Sequence, residues 1–120
     1  MKLRPALVAA ALALTAIACA GGYEQALLTQ FFAASRLGDR TALAPIATVI
    51  FDPRTDGTVL RFDIIDTSPE EHGVERITLA ARVHLPSGDT VQKTLIVTMR
   101  RADPAIDKGT TSRWVITGVA

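Results

Sequence analysis

The sequence predicts an α+β domain, with N-terminal helices packed on one face of a curved antiparallel sheet. Three observations lead there. Apolar residues recur at spacings of three and four over 23–37, the mark of an amphipathic helix. After Ala47 the apolar period becomes two, the period of a half-covered strand. Tight-turn signals, Asp56-Gly57 and Pro86-Ser87-Gly88, separate the alternating runs.

In the first helix, Leu27, Leu28, Phe31, Phe32, Ala34 and Leu37 form the apolar stripe, while Glu24, Gln25, Gln30 and Arg36 fall mostly elsewhere. Gly38 can adopt the left-handed conformation that ends a helix. Asp39 can cap a second short helix, Arg40–Ala44, which Pro45 closes.

The first strand candidate is the short apolar run Thr48–Phe51, broken by Asp52-Pro53. Next, Leu60, Phe62 and Ile64 alternate with Arg61 and Asp63. Ile77, Leu79, Ala81, Val83 and Leu85 form a further inward row, and Val91, Leu95, Val97 and Met99 another. Trp114, Val115, Ile116 and Val119 make the last strand.

One register can be read directly. Pro86 presets the first turn position and Gly88 the left-handed one, so Leu85 faces Asp89. Val83 then meets Val91, Leu79 meets Leu95, and Ile77 meets Val97, all on one face. A slip of one residue would turn Thr and Gln toward the core. The expected core is Phe31, Phe32, Leu60, Phe62, Leu79, Leu95, Val97 and Trp114.

The first 20 residues differ from the rest, 16 of them being apolar. Lys2 and Arg4 precede Ala6–Ile17, a run of 12 residues that is apolar except for Thr15. A helix of that length is too short for a hydrocarbon core of about 30 Å, and the layout is that of a signal peptide. Cys19 is the single cysteine, so no intramolecular disulfide is available. Ala16-Ile17-Ala18-Cys19 resembles a bacterial lipobox, with Ala16 where Leu is usual. The resemblance implies cleavage before Cys19, lipid on its sulfur and an anchor in the membrane. Ala20, not Asp, follows the cysteine, which implies an outer-membrane lipoprotein facing the periplasm. Cleavage after Ala20 is the alternative. The expected organisation is a signal peptide over 1–18, a tether over 19–22 and one domain over 23–120.

Without the signal peptide the chain carries 11 basic and 12 acidic side chains, which excludes a strongly basic polyanion binder. Few aromatic residues are available for base stacking, so no nucleic-acid role is expected. His72 and His84 stand in no ligand spacing, so no metal or cofactor is expected. No serine lies in a Gly-x-Ser-x-Gly elbow, and Asp107-Lys108-Gly109-Thr110 reads as a loop rather than part of a phosphate-binding motif.

The opening Phe31-Phe32-Ala33-Ala34, then Gly38-Asp39-Arg40-Thr41-Ala42-Leu43, then long strands ending in Arg113-Trp114-Val115-Ile116, resemble the NTF2-like superfamily. The resemblance covers most of 23–120 and implies a cone, helices closing over a bent sheet, often around a pocket. Tyr23, Leu27, Phe31 and Phe62 are the pocket candidates. The superfamily holds ketosteroid-isomerase-like enzymes and polyketide cyclases that use a pocket carboxylate, and also many members without known catalysis. Asp66, continuing the Leu60-Phe62-Ile64 face, is the weak candidate for such a base; it reads better as the start of a turn with Thr67-Ser68-Pro69. The functional expectation is a non-catalytic envelope module that binds a small apolar ligand or a protein partner. The other sheet face, rich in Arg and Thr, is a candidate surface for a partner or a homodimer.

Overall fold

The computed structural model describes residues 23–107 and 113–120. The signal peptide, Cys19, the tether and the loop residues 108–112 lie outside the described residues. The described chain runs α1 (23–37), α2 (Arg40–Leu43), β1 (Thr58–Thr67), β2 (Val74–His84), β3 (Thr90–Arg101) and β4 (Trp114–Val119). The four strands form one antiparallel sheet in the order β1-β2-β3-β4, with α1 packed on one face.

The spacing of three and four in α1 turns Leu27, Leu28, Phe31, Phe32 and Ala34 onto the sheet, and all are buried. Leu37 departs from the expected stripe: it ends the helix and is 74 % exposed. Gly38 has φ +65°, and the amides of Gly38 and Asp39 donate to the carbonyls of Ser35 and Ala34, closing the helix end. Asp39 caps α2, its carboxylate accepting from the Ala42 amide at 3.1 Å.

Thr48–Phe51 does not form a strand. Ile46 and Thr48 instead exchange backbone hydrogen bonds with Ile116, a single parallel bridge through Ala47 along the edge of β4. Pro53 lacks an amide and Asp52 collects the amides of Thr55, Asp56 and Gly57, so the segment curls before it can pair further. Phe51 is nevertheless buried, because the Ser35 hydroxyl accepts its amide at 3.2 Å and ties the segment to α1. Ser35→Ala should leave that amide unsatisfied in the interior and cost about 1–3 kcal/mol, read from denaturant midpoints. Phe32 sits at the centre of the chain's four phenylalanines, with centroids 5.2 Å from Phe31, 5.8 Å from Phe51 and 5.4 Å from Phe62.

The β2–β3 hairpin has the expected register, Val83 opposite Val91, Leu79 opposite Leu95 and Ile77 opposite Val97. Its turn closes with the Leu85 amide on the Asp89 carbonyl and Gly88 at φ +102°. Ile77, Leu79, Ala81, Val83, Leu95, Val97 and Met99 all lie against the helix layer.

β1 departs from simple alternation. The pairing with β2 skips at Val59/Arg61 and again at Ile64/Asp66, so Leu60 and Ile65 are the extra residues of two β-bulges. Val59, Phe62 and Ile64 face the helices, while Leu60 is pushed out and 55 % exposed rather than buried. Phe62 and Trp114 are half-buried, packed against the core from its margin.

On the outer face, Arg100 holds Asp107 through two bonds of 2.6 and 2.8 Å, bringing the chain after β3 over this face. Those hydrogen bonds and the Asp103 amide hold the Asp107 carboxyl down at about 2. Val115, opposite Arg100, is buried there although it belongs to no part of the main core.

Candidate functional site

The pocket candidates do not converge. Phe31 is fully buried in the packed interior. Tyr23 and Leu27 line an open groove of about 500 Å³ between α1 and the segment after α2, together with Pro45, Ile46 and Arg113. Phe62 lines a second groove of about 330 Å³ on the other flank of α1, with Phe32, Leu60 and Arg61. Leu28, Phe31, Ile77, Leu79, Val97 and Met99, all fully buried, fill the space between helix and sheet.

Asp66 does not continue the apolar face. The bulge at Ile65 shifts the phase by one residue, so Asp66 stands opposite Thr78 on the outer face and is exposed. Thr67 takes the inward position opposite Ile77, and its hydroxyl donates to Oε2 of Glu24 at 3.4 Å.

That contact leads to a carboxylate that the sequence reading passed over. Glu75 lies opposite Met99, in line with Ile77 and Leu79, and so faces the helix layer. It is 8 % exposed, and its Oε1 has no hydrogen-bond partner among the described residues. Burial first, and then the hydrogen bond to the Glu24 carboxyl, push the Glu75 carboxyl up to about 7; the charges of Glu24 and Glu70 add to this. The signal was present: stepping the inward row Ile77-Leu79-Ala81-Val83 back by two lands on Glu75. Glu24, which the helical pattern assigned to the polar side, is half-buried here in α1.

Beside this pair, Glu70 in the β1–β2 connection accepts from Nε and Nη2 of Arg101, the latter at 2.7 Å. The bond to Arg101 holds the Glu70 carboxyl below its ordinary value. Arg101 in turn lies 5.3 Å from the Trp114 ring centroid. His72 is exposed, 3.8 Å from Glu71, and His84 is exposed with Nδ1 3.1 Å from the Thr90 hydroxyl. Among the described residues no three His, Cys, Asp or Glu side chains are grouped to hold a metal ion.

The outer sheet face carries Arg61 directly opposite Arg82, both exposed and, among the described residues, with no acidic partner within ion-pair distance. Ile65 and Ile96, on the same face near Thr78, are 58 % and 42 % exposed. Comparison of the chain with family models, with curated proteins and with solved structures gives no match.

Proposed function

We propose that residues 23–120 form an NTF2-like domain of an exported, lipid-tethered envelope protein that acts without catalysis, by docking a protein partner on its open sheet face. The observation that carries this reading is the filled interior. Phe31 and Leu28 occupy, against Ile77, Leu79, Val97 and Met99, the space where a cone-shaped relative would hold a ligand. Recognition then falls to the surface, and the outer face offers exposed Leu60, Ile65 and Ile96 beside the opposed Arg61 and Arg82. Arginine is enriched at interface centres, and exposed aliphatic side chains grouped beside it mark an interaction surface. The helices on one face of a bent antiparallel sheet support the superfamily assignment. The anchor at Cys19 and the periplasmic location rest on the lipobox resemblance alone.

Photo-crosslinkers placed at Ile65 and Ile96 in the native envelope, with Gln30 in the groove beside α1 as control, test the reading. Adducts of one defined mass should form from the two sheet positions and not from Gln30. Native mass spectrometry showing a retained small apolar molecule, without sheet-face adducts, would favour the ligand-binding reading instead.

One observation favours a second reading, a ketosteroid-isomerase or polyketide-cyclase kind of enzyme: a buried carboxylate with an upward-shifted pKa. That carboxylate is Glu75, not Asp66. Asp66→Asn should leave the denaturation midpoint within about 0.5 kcal/mol of wild type, as for other exposed positions. Turnover of steroid or polyketide-like substrates that disappears in Glu75→Gln, with the fold intact, would establish the enzyme and remove the module.

A further inference from the structure

We propose that Glu24 and Glu75 form a proton-operated latch between α1 and the sheet, closed when the pair shares one proton and released when both carboxylates are ionised. A carboxylate oxygen that is buried without a donor has lost its hydration and gained nothing in return. Oε1 of Glu75 is in that position, and the carboxyl nearest to Glu75 is another acid, Glu24. Two carboxylates in contact, one of them out of water, cannot both ionise without strong repulsion. A proton placed between them turns an acceptor–acceptor clash into a donor–acceptor bond.

Among the described residues no cation acts on Glu75: the charges that move its carboxyl are those of Glu24 and Glu70, and Arg113, in the groove beside Tyr23, is not one of them. From β1, the inward neighbour is Thr67, whose hydroxyl is engaged by Glu24. The β1–β2 connection contributes Glu70, which adds negative charge. From β3, the charged residue beyond Met99 on this face is Arg101, and Glu70 already holds its guanidinium. Trp114 faces Arg101 from β4 and is uncharged. His72, 91 % exposed, stands beside Glu71 in the same connection.

The sign follows from linkage. The folded-state value of Glu75 lies above its ordinary 4.5, at about 7, so the closed form binds more protons than the open one between those limits. Closure is fully supported below the ordinary value and is lost as pH rises through the folded-state value. For one proton, the opening constant should rise roughly fortyfold between pH 5 and pH 7, and only about twofold more by pH 8.

Amide hydrogen exchange of the purified protein, corrected for the intrinsic pH dependence of the chemistry, reads this directly. Amides over 27–30, whose helical acceptors are the carbonyls of 23–26, should lose protection between pH 5 and pH 7, while those of the β2–β3 hairpin should not. In Glu75→Gln, a neutral isostere that can donate to Glu24, protection of the same amides should be high and flat across this range. Carbon-detected titration of the Glu75 carboxyl in the wild-type protein gives a second reading that depends on no variant. A Glu75 carboxyl titrating in the ordinary carboxylate range would overturn the proposal. So would protection over 27–30 that is independent of pH, or a Glu75→Gln variant that keeps the wild-type pH dependence.

Discussion

Replacing Phe31 with alanine is expected to cost about 3–5 kcal/mol, the range found on emptying an aromatic site in a packed interior. Phe31 is fully buried at the middle of α1, in one cluster with Leu28, Ile77, Leu79, Val97 and Met99. Its ring also meets Phe32 edge-on, at 69° and 5.2 Å, so the substitution removes an aromatic contact along with the buried area. A domain of this size has only about 5–15 kcal/mol in total, so the variant should lose a large share of its stability. Urea denaturation followed by Trp114 fluorescence gives the number. Leu37→Ala in the same helix is the control: 74 % exposed, it should shift the midpoint by less than about 0.5 kcal/mol. A Phe31→Ala midpoint as close to wild type as that of Leu37→Ala would mean that α1 is not docked on the sheet.

Gly57→Ala should be the most damaging single-methyl addition, at about 2–4 kcal/mol. Gly57 precedes β1 with φ +99°, a conformation that strains any residue with a Cβ. The added carbon would also stand 2.5 Å from the carbonyl oxygen of His84 and 3.0 Å from Cγ1 of Val83. That carbonyl belongs to the last residue of β2, directly across from Thr58, so relief requires separating the two strands at their first pair. Gly88→Ala separates the two contributions. Its φ is +102°, but nothing lies within 4 Å of the added carbon, so it should show the backbone strain alone, about 1 kcal/mol. Equal effects of the two substitutions on thermal unfolding would show that the contact with His84 yields easily.

The β2–β3 hairpin was legible because two independent local signals agree there. Pro86 and Gly88 set the turn, and the inward rows on both sides demand the same register. β1 was not, because its pattern reads as unbroken alternation from Leu60 to Ile64. Nothing local distinguishes Leu60 from Phe62, and only pairing with β2 decides which is squeezed out. The misplacement of Asp66 is the same error carried across the second bulge. Phe51 was assigned to a strand on composition, and its burial is due to Ser35, sixteen residues away, which no short-range pattern contains. Glu75 was legible in phase but overlooked in kind: an acid at the end of an apolar row looks like the row's natural end. The two grooves flanking α1 depend on how far the helix sinks between Phe62 and Ile46, a distance set by side-chain volumes in three dimensions.

The bulges of β1 have a consequence for what the molecule can join. β1 is an end strand of the sheet, with β2 bonded along one side only. A straight strand of this length, ten residues with several β-branched side chains, would be a template for another extended chain. Each bulge kinks the backbone and interrupts the even spacing of donors and acceptors that an incoming strand would need. The interruptions fall at Leu60 and Ile65, leaving no regular stretch longer than about half of the strand. Growth of the sheet from molecule to molecule is thereby discouraged by backbone shape alone. Removing both extra residues would keep the strand's ends in phase, Val59 and Thr67 still inward, while straightening the edge between them. Such a double deletion should raise the accumulation of fibrillar, thioflavin-binding aggregates above that of the wild-type protein.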